Sequence, residues 1–451
     1  MTFPPAEGKN TPPAKSPNKN TNAGEDSSTV PGGGPSQRKN QQRLPPPPPT
    51  LTIMYKLQYG GTLEYVHPDG TVQQFEQWKS FPRDGHGLVS KANEALEGVN
   101  YQYATKPLAS DGFDPVDIPL LYMTGDYAFE FTDTEVDHLR RFLLDGGTIL
   151  FNAARGRDAF NRAVVEQMRR VFPNKSFMKL PMDHPIFNAR RRIRRISVTA
   201  DGSRFMQPLE AYSIDIGTRA AAILLPWGAG AAWSDADEYH PRGKHIIGEA
   251  ADRLGVNIIA YTLGSTRYGR FLSQEFPVYH GRVPTQGDAV RFAIARYNGS
   301  YDLHPSLQNS VLTMLRERLE LPVDYAPAYV DLGTGAIGQY PLVFMTGHYD
   351  FELTDAQVTN LRQYFKRGGV LFASAAAGLS PFDTAFRREM KRVIDGQAFV
   401  KLPPTHSMFV DGPIRIDSVK YTPPALSDDP TLDQPEFFGM YVEDRLAVVY
   451  T

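Results

Sequence analysis

No cysteine occurs among the 451 residues. The chain therefore has no disulfide, no thiolate nucleophile and no cysteine-ligated metal or cluster. Glutamine amidotransfer, which needs a thiolate at a strand-to-helix elbow, is excluded. The serine form of that elbow, Gly-x-Ser-x-Gly, is missing as well. Charge of one sign is also absent. A net charge of −2 argues against a bulk polyanion binder, and no nucleic-acid partner is expected. No apolar run is long enough to cross a bilayer, and the amino terminus lacks the apolar centre of a signal peptide. Cytoplasmic is the default location. Glycine-rich phosphate loops are missing, since Gly228-Ala229-Gly230 lacks the dinucleotide fingerprint. The His, Asp and Glu residues show no tight ligand spacing, so no metal and no cofactor is predicted.

What is present divides into a tail and two domains. Residues 1–50 are rich in Pro, Asn, Ser, Gly and Lys, with few side chains able to enter a core. Such a segment is expected to be disordered, and Pro45–Pro49 to form a stiff polyproline II spacer. The hydrophobic share of 41% is enough for ordinary cores in the remainder. A first domain is placed at 51–285 and a second at 286–451.

The stretch Ile118–Asp126, Ile-Pro-Leu-Leu-Tyr-Met-Thr-Gly-Asp, returns as Tyr340–His348, Tyr-Pro-Leu-Val-Phe-Met-Thr-Gly-His. From Pro119 to Phe187 every position has its counterpart 222 residues on, at Pro341 to Phe409, without a gap. Each copy reads as a buried strand ending in Thr-Gly, then a helix. Thr132 with Glu135, and Thr354 with Gln357, form capping boxes. Val136, Leu139, Phe142 and Leu143 mark the apolar face of the first helix; Val358, Leu361, Tyr364 and Phe365 mark that of the second. Gly146-Gly147 and Gly368-Gly369 supply left-handed stops. A second strand follows, so the unit is a right-handed crossover in a parallel sheet. Strands are also predicted at 51–57, 101–104, 290–294 and 325–330. The fold class is α/β: two tandem parallel-sheet domains, with a flavodoxin-like winding as first choice. Trp227 to Leu263 has no counterpart after Tyr450, so the first domain is expected to be complete and the second trimmed.

The signature Pro-Leu-x-x-Met-Thr-Gly-x-Tyr-x-Phe-Glu-x-Thr-Asp, with the later Gly-Gly and His-Pro-Ile-Phe, resembles a bacterial family catalogued as domain-of-unknown-function family 4159. The resemblance covers 51 to about 272 and again 288–451. It implies a class I glutamine amidotransferase-like fold, the group that includes the trehalose-utilisation proteins. It implies no activity, because the family has none established. Some relatives are attached to membrane or exported proteins, so the resemblance leaves that association open.

In an open parallel sheet, ligands bind beyond the carboxyl ends of the strands. One cleft per domain is therefore expected, walled by the Thr-Gly loop and a histidine loop. In the first copy the candidates are Thr124, Gly125, Asp126, Glu130 and His184. In the second they are Thr346, Gly347, His348, Asp350, Glu352 and His406. Asp126 is expected to face His184, and His348 to face His406. A hydrolase of unknown substrate using these His, Asp and Glu residues is one reading. The other is a non-catalytic tandem module that binds a protein partner or small ligand. It is preferred because the copies keep their scaffold residues and exchange the reactive ones. On the simpler reading Asp133 and Asp355 support helix starts, while Glu130 and His184 tie loops down. Arg190, Arg191, Arg192, Arg194 and Arg195 form the densest basic cluster, a possible anion patch or a solvated loop edge.

Overall fold

The computed structural model describes residues 51–235, 243–273, 289–304, 306–326, 328–412, 415–416, 418–421, 426 and 430–451. The predicted tail at 1–50 and the junction at 274–288 lie outside them.

The first domain runs β1 (Leu51–Gln58), β2 (Leu63–Val66), β3 (Val72–Phe75), α1 (Asp84–Ala95), β4 (Asn100–Pro107), β5 (Leu120–Gly125), α2 (Asp133–Leu144) and β6 (Thr148–Ala153). It continues through α3 (Asp158–Val171), β7 (Met178–Lys179), β8 (Arg195–Ala200), β9 (Ser203–Pro208), β10 (Tyr212–Ile216), β11 (Arg219–Leu225), α4 (Gly230–Trp233), β12 (His245–Ile246) and α5 (Glu249–Ser273). Its main sheet has the order β4-β1-β5-β6-β11-β10-β7. The first five strands are parallel and, counted along the chain, stand in the order 2-1-3-4-5. β10 runs antiparallel to both β11 and β7. The sheet is thus mixed, where a wholly parallel one was expected. The β2–β3 hairpin and the small sheet β12-β8-β9 are further elements without a sequence expectation.

The second domain repeats the plan with β13 (Phe292–Arg296), α6 (Leu307–Leu319), β14 (Tyr329–Asp331), β15 (Leu342–Gly347), α7 (Asp355–Lys366), β16 (Val370–Ala375), α8 (Ser380–Val393), β17 (Val400–Lys401), α9 (Ser407–Val410), β18 (Phe438–Val442) and β19 (Arg445–Tyr450). Its sheet order, β14-β13-β15-β16-β19-β18-β17, matches the first strand for strand.

Local chemistry explains the repeat. Both capping boxes form, on Thr132 and on Thr354. Gly146 and Gly368 take φ of 107° and 101°, which no L side chain adopts without strain. The predicted faces of α2 and α7 are buried against their sheets. In the first domain α2 and α3 cover one face, with Leu139, Phe142, Phe160 and Val164 fully buried; α1 and α5 cover the other through Leu88, Ala92, Leu254 and Ile258. Burial of each such large side chain contributes about 1.5–3 kcal/mol. After the gapless region the copies realign four residues later. The β10–β11 and β18–β19 hairpins share a register shift, at Ile214/Asp215 and at Met440/Tyr441. Arg219 donates to the carbonyls of Leu143 and Gly147, and Arg445 to those of Phe365 and Gly369. Each arginine thereby caps the carbonyl end of the α2 or α7 helix and fixes Tyr212–Leu224 against Phe438–Tyr450 as equivalents.

Candidate functional site

At the carboxyl edge of the first sheet, Tyr59 Oη donates to the Thr124 carbonyl at 2.8 Å. This contact demands glycine at 125, because a Cβ there would lie 2.1 Å from the hydroxyl. Tyr297 Oη and Gly347 repeat the device in the second copy, with distances of 2.7 Å and 2.2 Å. Asp126 is 1% exposed. Its Oδ1 accepts from the Arg155 backbone N–H at 3.0 Å, and its Oδ2 pairs with the Arg155 guanidinium and accepts from Ser80 Oγ at 3.3 Å. The hairpin β2–β3 stands beside this pair and flanks an open cleft of about 530 Å³, walled by Phe75, Glu76, Lys79, Ser80, Tyr127 and Arg155.

Beneath the cleft lies a polar network. Lys56 Nζ donates to Asp84 Oδ1 at 2.6 Å and to the Phe81 carbonyl at 2.8 Å. Tyr122 Oη donates to Asp84 Oδ2 at 2.7 Å, and Asn152 Nδ2 to Tyr122 Oη at 3.1 Å. Lys56, Asp84, Tyr122 and Asn152 are all fully buried. Burial pushes the Asp84 carboxyl up and the Lys56 ammonium down, each opposed by the other's charge. By strand register Ile294 and Phe344 occupy the places of Lys56 and Tyr122 in the second copy, so the network belongs to the first alone.

The carboxyl edge of the second sheet is built differently, because it is covered by the first domain. His348 Nδ1 lies 2.9 Å from Asp215 Oδ2, so the carboxylate holds the proton on Nδ1. Tyr349 Oη donates to the same oxygen at 2.8 Å and Ser213 Oγ to Oδ1 at 2.6 Å. Asp183 Oδ2 accepts from the Ser380 backbone N–H at 2.9 Å. His348 is 1% exposed, and its Nε2 is buried with no hydrogen-bond partner among the described residues. Burial pushes the Asp215 carboxyl up, but the His348 hydrogen bond and charge, with Ser213 and Tyr349, outweigh it and hold the group below its ordinary value.

Asp215 lies on the opposite edge of the first sheet from Asp126. It stands across from Ala220, two residues ahead of Ala222, which is level with Ile149 near the start of β6; Gly125 is level with Ala153 at the end of β6. The carboxyl edge of the second sheet therefore sits on the amino edge of the first.

The expected pairings do not form. His184 joins the amino-edge group. Its ring is 5.5 Å from that of Tyr261, whose hydroxyl accepts from the Ala220 N–H, and the charges of Asp215 and His348 act on it. The cause is local. After Leu180 the chain turns, and Ile186 and Phe187 bury themselves against α5, carrying His184 away from the Thr-Gly loop. His184 Nδ1 then accepts from the Ile186 N–H at 3.2 Å, the loop-tying role of the simpler reading. His406 does the same for Met408, and its Nε2 is 3.1 Å from Tyr441 Oη rather than at His348. Thr124 and Thr346 are buried under their sheet edges. Glu130 is exposed 3.5 Å from Arg170, Asp350 pairs with Arg388 at 3.0 Å on the surface, and Glu352 is exposed. Asp133 and Asp355 occupy first helical turns and pair with Arg170 and Arg392. The arginine cluster divides: the backbones of Arg190 and Arg191 are held by Asn257, whereas Arg192, Arg194 and Arg195 line a surface hollow with Arg204 and Arg253. Among the described residues no three His, Asp or Glu side chains converge as metal ligands, and no helix is long and apolar enough to cross a membrane.

The family model described as domain of unknown function DUF4159 matches twice, at 65–263 and at 291–451. The chain belongs to this DUF4159 family. Its two DUF4159 copies coincide with the two sheets. Among solved structures, a ThuA-like protein from Bacteroides uniformis is similar at 12% identity and a TM-score of 0.25, covering 50% of this chain and 95% of its own. No curated protein matches.

One prediction follows from His184 of the first DUF4159 copy. Burial holds its pKa down to about 4, with His348 acting in the same direction and Asp215 and Asp183 opposing. In the unfolded chain a histidine titrates near 6.5. As pH falls below 6.5 the unfolded chain takes up a proton that the folded chain refuses until about 4, so stability drops through that window by up to about 3 kcal/mol. Urea denaturation at pH 7 and pH 4.5 is expected to show this loss, and His184→Asn to flatten it. An unchanged slope in the variant would assign the acid sensitivity elsewhere.

Proposed function

We propose that the protein is a non-catalytic binding module with one open ligand cleft, at the carboxyl edge of the first domain, and that the second domain is a structural support. The observation that carries this is the contrast between edges: His348 is spent in a buried contact with Asp215, whereas Tyr127, at the position of Tyr349, is 39% exposed in a cleft. The strand order 2-1-3-4-5 is that of flavodoxin-like sheets, whose ligands sit at the carboxyl edge. The lining suits a small polar molecule. Arg155 and Lys79, paired with the cleft carboxylates Asp126 and Glu76, keep further N–H donors for acceptor groups, and the Phe75 and Tyr127 rings, 5.8 Å apart, offer a flat apolar wall. A hydrolase would need a carboxylate and a histidine to converge at an open site. Asp126 is locked by Arg155 and His184 is at the other edge, while the pair that does converge, Asp215 with His348, is buried.

A thermal-shift screen of polar metabolites against the full chain tests this. Hits are expected to lose affinity about 10- to 100-fold in Arg155→Ala, the value of one or two charge-assisted hydrogen bonds. Tyr127→Ala, which leaves the Asp126 pair intact, is expected to weaken the same hits. Hits indifferent to both variants, or hydrolysed during the screen, would overturn the proposal.

A further inference from the structure

The two copies differ where α3 and α8 meet the β10–β11 and β18–β19 hairpins. In the second copy this place is filled. The rings of Phe386 and Tyr450 lie 4.8 Å apart, Phe399 is 5.6 Å from Tyr450, and the Arg387 guanidinium sits over Phe399, Phe438 and Tyr450 at 5.3, 4.6 and 5.2 Å. Asp383 Oδ1 completes the plug by accepting from Tyr450 Oη and from Arg387 Nε, each at 2.8 Å. In the first copy the equivalents of Phe386, Arg387 and Tyr450 are Val164, Val165 and Leu224. The plug is thereby removed, and a cavity of about 570 Å³ stands in its place, with Phe177 and Tyr212 still forming the walls that Phe399 and Phe438 form in the other copy.

The receptor for the plug also survives. Asn161 replaces Asp383 and lines the cavity. Its Nδ2 donates to the Pro226 carbonyl at 3.4 Å, and its Oδ1 is buried with no hydrogen-bond partner among the described residues. Arg162, Arg169 and Lys175 stand at the rim with a single acid, Glu166, and the three bases have no ion pair among the described residues.

We infer that this cavity is a second ligand site, for a small hydroxylated aromatic acid whose ring lies beside Leu224 where the Tyr450 ring lies in the other copy, whose hydroxyl donates to Asn161 Oδ1 as that side-chain amide turns toward it, and whose acidic group meets the basic rim. It is distinct from the Asp126–Arg155 cleft and does not depend on it. The internal repeat supplies the template: the same walls already hold a phenol with its hydroxyl on the equivalent side chain.

Isothermal titration of the full chain with 4-hydroxyphenylacetate is expected to show saturable one-to-one binding, with a Kd between about 10 μM and 1 mM for a ligand of this size. Phenylacetate, which lacks the donor, is expected to bind at least about tenfold more weakly. Leu224→Tyr installs the missing plug and is expected to abolish binding while raising Tm. Val165→Arg, which fills the slot from the helix side, is expected to abolish it too and serves if the first variant does not fold by circular dichroism. Absence of saturable binding, equal binding of phenylacetate, or undiminished binding in a folded plugged variant would each overturn the assignment.

Discussion

Replacing His348 with alanine is expected to destabilise the protein by about 3–5 kcal/mol, the range for depriving a buried charge, here the Asp215 carboxylate, of its partner. The imidazole is 1% exposed and gives Asp215 its hydrogen bond at 2.9 Å. Without it the carboxylate keeps Ser213 and Tyr349 but loses the group that most lowers its pKa, in a place water does not reach. The cost falls on the contact between the two sheets, so urea denaturation is expected to broaden or split into two transitions as well as shift. Asp215→Asn in the His348→Ala background is expected to recover part of the loss, because it removes the orphaned charge. A loss below about 1 kcal/mol with a single sharp transition would mean that the pair behaves as a surface ion pair.

Lys56→Met is expected to have a comparable effect through the first copy. It leaves Asp84 fully buried with, among the described residues, only Tyr122 Oη and the Gly85 N–H as donors. The loss of one partner again implies about 3–5 kcal/mol, moderated because burial already raises the Asp84 pKa and protonation offers a partial escape. The second copy shows the apolar alternative, with Ile294 and Phe344 in register at the same places. Lys56→Ile with Tyr122→Phe and Asp84→Leu is therefore expected to be far milder than Lys56→Met alone. Chemical denaturation of the single and triple variants checks both halves. A triple variant worse than the single would mean that Asp84 supports the fold through more than its charge.

Much of this architecture was legible in the sequence, because it rests on local chemistry. Thr132 and Thr354 cap their helices through neighbours three residues away, and Gly146 and Gly368 stop them through their own backbone. The gapless repeat then doubled every inference. The β2–β3 hairpin escaped because its strands are four residues long and mostly exposed, with no apolar alternation. The site was legible in its parts and not in its assembly. Thr124, Gly125 and Asp126 do sit at a carboxyl edge, but the partner of Asp126 is Arg155, a residue with no motif. His348 meets Asp215 across 133 positions and two sheets, and no period or spacing records such a contact. Two signals could have been read. Lys56 interrupts the apolar opening strand, as a buried charge with a partner does, and Leu224 stands where Tyr450 does once the hairpins are aligned on Arg219 and Arg445.

The seating of the second carboxyl edge on the first amino edge can be tested by disulfide trapping, in a chain that has no cysteine of its own. Asp183 and Ser380 face each other across the joint, with the carboxylate 2.9 Å from the Ser380 N–H. In Asp183→Cys/Ser380→Cys, mild oxidation is expected to give near-complete intramolecular cross-linking by non-reducing electrophoresis and mass spectrometry. The control Asp126→Cys/Ser380→Cys, which places the first cysteine on the opposite edge, is expected to give none. Cross-linking of the control in preference to the Asp183 pair would contradict the joint and reopen the cleft of the second domain.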